Sequence, residues 1–281
     1  MIKIVLTTDF SDNAWNGIFN TLKLYAHTPC YFFIVHAYEP KEQNFLGKHS
    51  QQRLGVIYDS LSQFSKQELA KVIDYLNCNY NNPNHSFEII SKHGNLIEVL
   101  KEIVHTNDID LIAMGTQGAT GAQGIFIGSS TVKVLKMIKG CPILMIPSDY
   151  SFQRLKTLVF PTDYNRSYEK YELLPVAHLV SLWNAEIHVL HVALEFILNK
   201  TQKANIKILE ERFASLKYSY HHTPFEKSLS SSIEKYIIKN EIDLMAMIRN
   251  HHTFWEKIIR EPVIKKTAFN SPIPVLMLPE R

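Results

Sequence analysis

Asn107-Asp108-Ile109-Asp110-Leu111-Ile112-Ala113-Met114 runs straight into Gly115-Thr116-Gln117-Gly118. After nine further residues comes Gly128-Ser129-Ser130. The first stretch is an apolar run of strand length, and the residues after Ser130 carry a helical pattern. The spacing is G-x2-G-x9-G-S. A strand, a glycine-rich loop and a helix start in this order make an anion cradle. Glycine lets the backbone approach a bound group closely. The free N–H groups of the first helical turn and the helix dipole favour negative charge there. The expected fold follows from the same stretch, because a strand feeding a helix through such a loop belongs to an α/β architecture.

The rest of the chain fits a globular protein. It has 281 residues, 46% hydrophobic and 20% charged, which suits one large domain or two small ones. No apolar run approaches the ~18 residues of a membrane span. Met1-Ile2-Lys3-Ile4-Val5-Leu6 reads as a short strand, without the pattern of a signal peptide. Cys30, Cys78 and Cys141 are widely spaced and suggest neither a disulfide framework nor a metal knuckle, so a cytoplasmic setting is expected. The net charge of +3 is mild, and no dense basic face interleaved with aromatics marks a nucleic-acid binder. Neither nucleic acid nor membrane is an expected partner.

Working outward, the chain is a repeat. Ile4-Val5-Leu6-Thr7-Thr8-Asp9-Phe10-Ser11 matches Leu158-Val159-Phe160-Pro161-Thr162-Asp163-Tyr164-Asn165, and Phe33–Ala37 matches His188–Val192. Asn107–Met114 matches Asn240–Met247, and Pro142–Pro147 matches Pro274–Pro279. Four matches in the same order indicate duplication, with domains at 1–149 and 150–281. In the first half strands are expected near 2–8, 30–38, 86–92, 109–115 and 142–147, with helices near 12–27, 51–78, 94–106 and 128–139. Alternating strands and helices predict two tandem, doubly wound, mainly parallel sheets with helices on both faces. Ligands of such sheets bind at the C-terminal strand ends, near the point where strand order reverses. Asp9, His36-Ala37 and Gly115 fall at such ends.

Thr8-Asp9, His36-Ala37, Asp110–Gly115, the glycine spacing and the last strand Pro142–Ile146 together make the chain resemble a tandem member of the universal stress protein family. The resemblance covers nearly its whole length. It implies two Rossmann-like, adenine nucleotide alpha hydrolase-like domains of five strands each. G-x2-G-x9-G-S is that family's ATP-binding signature. The resemblance therefore implies ATP, carried with Mg²⁺, as ligand of the first domain. Backbone N–H groups at Gly118, Gly128, Ser129 and Ser130 would face the phosphates, and the Ser129 hydroxyl would add a donor. Met114 and Gly115 would lie along the nucleoside, Gly115 against the ribose. Thr7 and Asp9 would lie near ribose and base, with Ala37 offering its backbone to the adenine edge. Thr7 departs from the proline often found there. Family members pair through the last strand, which implies an intrachain pseudo-dimer here and leaves a homodimer open.

Each of these residues also has a plainer reading. Loop glycines serve as turn residues, Ser129 as a helix cap, and Asp9 as a cap for the helix beginning near Asp12. His36 reads as a packed core histidine, and the stripe Leu54, Ile57, Tyr58, Leu61, Phe64 as mostly core. The second half has lost the cradle: Ile248-Arg249-Asn250-His251-His252-Thr253-Phe254-Trp255 contains no glycine. This half is expected to bind no ATP in the same mode and to cover a sheet edge. Anion binding by Arg249, His251 and His252 is the alternative. His221-His222 and His251-His252 lack further ligands for a metal. No P-loop G-x4-G-K-[ST], G-x-G-x-x-G or His-x-Gly-His occurs. No nucleophile–base pair stands out, so no catalytic residue is assigned. The expected function is ATP-dependent regulation in a stress response through an unknown protein partner. A slow ATP hydrolase and a structural module without nucleotide are the alternatives.

Overall fold

A computed structural model describes residues 1–39, 49–116, 128–193, 197–249 and 271–279, the side chains of 49–56 and 193 excepted. The first half runs β1 (Ile2–Thr7), α1 (Asp12–Leu24), β2 (Cys30–Tyr38), α2 (His49–Asn79), β3 (His85–His93), α3 (Leu96–Asn107), β4 (Leu111–Gly115), α4 (Ser129–Met137), β5 (Ile143–Ile146). The second runs β6 (Thr157–Pro161), α5 (Lys170–Trp183), β7 (Glu186–Ala193), α6 (Lys200–Phe213), β8 (Lys217–Pro224), α7 (Leu229–Lys239), β9 (Leu244–Arg249), β10 (Val275–Pro279).

The two expected sheets are one. Its strand order is β3-β2-β1-β4-β5-β10-β9-β6-β7-β8, two copies of the order 3-2-1-4-5 joined at their fifth strands. β5 and β10 pair antiparallel, with Val275 opposite Met145 and Met277 opposite Ile143, while the other pairings are parallel. Ile143, Leu144 and Leu276 are wholly buried, so either half alone would present an apolar edge strand to solvent. Joining the two edges removes that liability.

Alternation along the strands assigns each side chain to a face. Ile4, Leu6, Phe32 and Ile34 pack with Ile18 and Leu22 of α1 and Leu69 and Leu76 of α2. Val5, Phe33, Val35, Ile112 and Met114 pack with Val99 and Leu100 of α3 and Val134 of α4. α2 faces the core through Ser65, Leu69, Val72 and Leu76. The stripe expected as core lies off that face. Ile57, Tyr58 and Leu61 are only partly buried and Phe64 is 50% exposed. Leu54, the first residue of the stripe, lies outside the described side chains.

The duplication is visible bond by bond. Asp110 Oδ2 accepts from the Lys3 N–H at 2.8 Å, and Asp243 Oδ2 from the Thr157 N–H at 2.9 Å. Asp108 and Glu241 both close their helices in the left-handed region, at φ 51 and 50. The segment between the halves is held, not loose: Phe152 and Leu155 are buried, and Asn16 Nδ2 donates to the Pro147 and Ser148 carbonyls at 2.8 and 2.9 Å.

Candidate functional site

The chain passes from β1 to β2 on one side and returns to β4 on the other, so strand order reverses between β1 and β4. Clefts open at such points, beyond the C-terminal strand ends. Three strand ends meet here. Thr7 is opposite Val35 in the β1–β2 register, which sets Ala37 level with Asp9, and Leu6 is opposite Ala113 of β4. Thr7, by alternation with Val5, shares its face with Ala37 and Met114, the face covered by α3 and α4. Thr7 and Met114 are buried and Ala37 half-buried.

Beyond β4 the backbone is clasped at both ends of the loop. The Gly128 N–H donates to the Thr116 carbonyl at 2.6 Å, and Thr116 N–H to the Ile146 carbonyl at 2.9 Å. Thr131 of α4 donates its buried hydroxyl to the Gly115 carbonyl at 3.1 Å. The first turn of α4 is therefore fixed directly over the end of β4. Gly128 is the helix N-cap and has no side chain to satisfy the turn. Its own N–H, expected to face a phosphate, donates here to the Thr116 carbonyl. Ser129 is not the cap but the first helical residue, and Ser129 and Ser130 are exposed. First-turn N–H groups have no acceptor within their own helix, so Ser129, Ser130 and Thr131 present that electropositive end. Gly118 lies outside the described residues, as do His251 and His252.

On the other side of the cleft, α1 packs unusually close. A Cβ at Gly17 would stand 3.0 Å from the Gly115 nitrogen, so any larger residue would press on the β4 backbone where this helix crosses it. Asp9 does not cap α1. Ser11 is the N-cap, its hydroxyl accepting from the Ala14 N–H, and exposed Asp9 accepts from the Ser11 N–H at 3.1 Å and hydroxyl at 2.5 Å. Phe10 is forced into the left-handed region at φ 64, an unfavourable conformation for a bulky residue. Its N–H donates to Thr8 Oγ1 at 2.9 Å.

His36 is not a core residue. It is half-buried, its ring centroid 4.4 Å from that of Phe10, and its Nδ1 is 2.8 Å from Ser65 Oγ. Burial pushes its pKa below the ordinary value, and the Asp9 carboxylate opposes that shift. Phe10 was not singled out in the sequence, and His36 was placed with Ala37 at a strand end while its ring was read as core. The available signal was alternation: His36 precedes Ala37, so it must stand on the opposite face of the same strand end.

In the second half the same turn is closed over. Tyr164 repeats the left-handed backbone at φ 56 and donates its N–H to Thr162 Oγ1 at 3.0 Å. It is only 1% exposed and stacks on His191. From α6, Gln202 Nε2 donates to the Asp163 carbonyl at 3.0 Å and Asn205 Nδ2 to the Tyr164 carbonyl at 2.8 Å. Arg249, a candidate anion ligand, turns to the first half and donates Nη1 to the Leu135 carbonyl at 2.5 Å. His221 and His222 lie on β8, and among the described residues no three His, Cys, Asp or Glu side chains are grouped to hold a metal. No described helix is long and apolar enough to cross a membrane.

Comparison with known proteins agrees with this architecture. Residues 1–147 match the sequence profile of the universal stress protein family. The fold resembles the crystal structure of a universal stress protein from Archaeoglobus fulgidus, with TM-score 0.68, 17% identity, and 99% of this chain and 98% of that one covered. It also resembles a protein of unknown function from Pseudomonas aeruginosa PAO1, with TM-score 0.56, 13% identity, and 99% and 92% covered. At these identities the structural likeness concerns the fold. No curated protein sequence matches the chain.

Proposed function

The chain belongs to the universal stress protein family, and from that premise we propose that residues 1–149 bind one adenine nucleotide, ATP, at the switch point between β1 and β4. Residues 150–281 form a second domain that binds none there and supplies the edge strand completing the sheet. The observation that carries this reading is the clasp of Thr131 on the Gly115 carbonyl, beside the closure of Thr116 by Gly128. Together they aim the first turn of α4 across the end of β4. Ser129, Ser130 and Thr131 take the phosphates, a role suited to a helix N-terminus, with Gly118 in the intervening loop. Gly115 and Met114 lie along the nucleoside. Thr7 and Asp9 take the ribose side, and Ala37 the adenine edge.

Mg²⁺ fits this site only as a passenger of the phosphates. The described lining near α4 offers hydroxyls and N–H groups, and no grouped carboxylates, so the ion keeps most of its waters. The protein acts as a nucleotide-dependent regulatory module in a stress response. Binding at the end of β4 changes the surface a partner protein meets.

The test is to purify the protein without added nucleotide, denature it and identify what is released by chromatography and mass spectrometry. Calorimetric titration with Mg-ATP follows. The expected result is one adenine nucleotide per chain. Absence of released nucleotide together with no binding of Mg-ATP overturns the proposal. Phosphate release over many turnovers would move it to an ATP hydrolase.

A further inference from the structure

A cavity of about 460 Å³ lies away from the proposed nucleotide site. It lies between α5 and the N-terminal ends of β1, β4 and β5, where the two halves meet. Its lining includes Tyr25, Asp110, Leu174, His178 and Pro279.

The internal repeat shows what such a groove holds. The buried positions Ala14, Ile18, Thr21 and Leu22 of α1 have the same spacing as Glu172, Val176, Leu179 and Val180 of α5. This register pairs Asn16 with Leu174, Asn20 with His178, and Tyr25 with Trp183. The sequence repeat pairs Asp243 with Asp110 and Pro147 with Pro279. Every one of these counterparts touches the segment that joins the halves. Asn16 donates to the Pro147 carbonyl at 2.8 Å. Asn20 holds the backbone at two points, donating to the Tyr150 carbonyl at 3.0 Å and accepting from the Phe152 N–H at 2.6 Å. The Tyr150 hydroxyl donates to the Asp243 carbonyl at 3.2 Å. The Phe152 ring stands edge-on to Trp183, 5.1 Å between centroids.

The related groove thus binds a stretch of chain that turns at Pro147–Tyr150 and then runs on without regular structure, through a backbone-gripping side chain and two aromatic anchors. On the α5 side the position of the gripping side chain belongs to His178. Its Nε2 is buried and has no hydrogen-bond partner among the described residues. Such a group normally finds a partner. Burial lowers the pKa of His178, so the neutral ring offers either a donor or an acceptor to a peptide group.

We propose that this groove binds an aromatic-bearing peptide segment of a partner protein, in the way its counterpart holds residues 148–154. His178 meets the peptide backbone in the place of Asn20, and an aromatic side chain packs against Tyr25. This inference does not rest on nucleotide binding at the other site.

The experiment titrates the full chain with a fluorescent peptide of residues 147–155 and follows anisotropy. Expected is saturable 1:1 binding, weakened about tenfold or more when the tyrosine and phenylalanine of the peptide become alanine. Leu174, 55% exposed, tolerates Leu174→Trp, which fills the groove and abolishes binding. His178→Ala weakens it, and melting temperatures confirm that both variants fold. No binding, or binding indifferent to Leu174→Trp and His178→Ala, overturns the proposal. Binding that survives Leu174→Trp and is lost in Asn20→Ala also overturns it, because the peptide would then be displacing the joining segment. Binding that occurs only after removal of residues 280–281 assigns the groove to this chain's own residues and overturns it as well.

Discussion

Asp9 and Asp163 end equivalent strands, in turns with the same hydrogen bonds, yet one turn borders a cleft and the other is sealed. In the first half Phe10 is half-buried and Asp9 faces solvent. In the second, Tyr164 is buried and α6 ties Gln202 and Asn205 to the turn's carbonyls. The conserved backbone geometry is thus a property of the fold, and access to it is what the side chains decide. The same contrast holds between the halves at their junction, where one groove contains residues 148–154 and its twin is a cavity.

The largest effect that probes this contrast is on stability. Tyr164→Ala removes a buried ring and leaves a cavity, with an expected loss of about 3–5 kcal/mol. Phe10→Ala is expected to cost about 1 kcal/mol, since its ring is only partly removed from water. Urea denaturation of both variants checks the ranking, and equal losses would break the contrast. Next comes Gly17→Ala, whose new methyl meets the Gly115 backbone at 3.0 Å. It is expected to cost about 1–3 kcal/mol and to weaken Mg-ATP binding by displacing the end of β4, both readable by thermal shift with and without nucleotide.

Burial lowers the pKa of His178, His188 and His221 in the second half and of His36 and His85 in the first. A histidine whose pKa falls on folding binds its proton more readily in the unfolded chain. Its stabilising effect is therefore complete above the unfolded value, near 6.5, and is lost as pH drops through that value toward the lowered one. Melting temperature is expected to fall between pH 7.5 and 5.5, and His188→Gln to flatten that slope. The smallest effect is Ser130→Glu. A carboxylate in the first turn of α4 stabilises the helix by about 0.3–1 kcal/mol but repels phosphate, so stability and Mg-ATP affinity should move in opposite directions. A gain in both would argue that the helix end is not the phosphate contact.

Much of the fold was legible because strands buried on both faces read as apolar runs and because the repeat checks itself. The expected strand at 30–38 and the helix start at Asp12 coincide with β2 and α1. The two expected five-stranded units fuse into one sheet through β5 and β10, a pairing that came from the family resemblance, because an edge strand leaves no local trace beyond apolar character. The glycine spacing marked the connection from β4 to α4, but not the contacts at its two ends. Gly128 and Thr131 act through contacts with Thr116 and Gly115, set by where a helix lands on a strand, and periodicity does not report that distance. His36 was read as core for a similar reason: how far a histidine at a strand end is covered depends on the helix above it, and here it is half-buried against Phe10 and Ser65. The sealing of Tyr164 by α6 was equally hidden, because Gln202 and Asn205 look like surface residues of a polar helix until the turn beneath them is in place.

The contrast between an open and a sealed half is tested most directly by photolabelling the protein with 8-azido-ATP and mapping the modified peptides by mass spectrometry. The expected result is a single labelled region within residues 1–149, at the ends of β1, β2 and β4, competed away by unlabelled ATP. Competable label on residues 157–193 of the second half, or label that ATP does not compete, would contradict it.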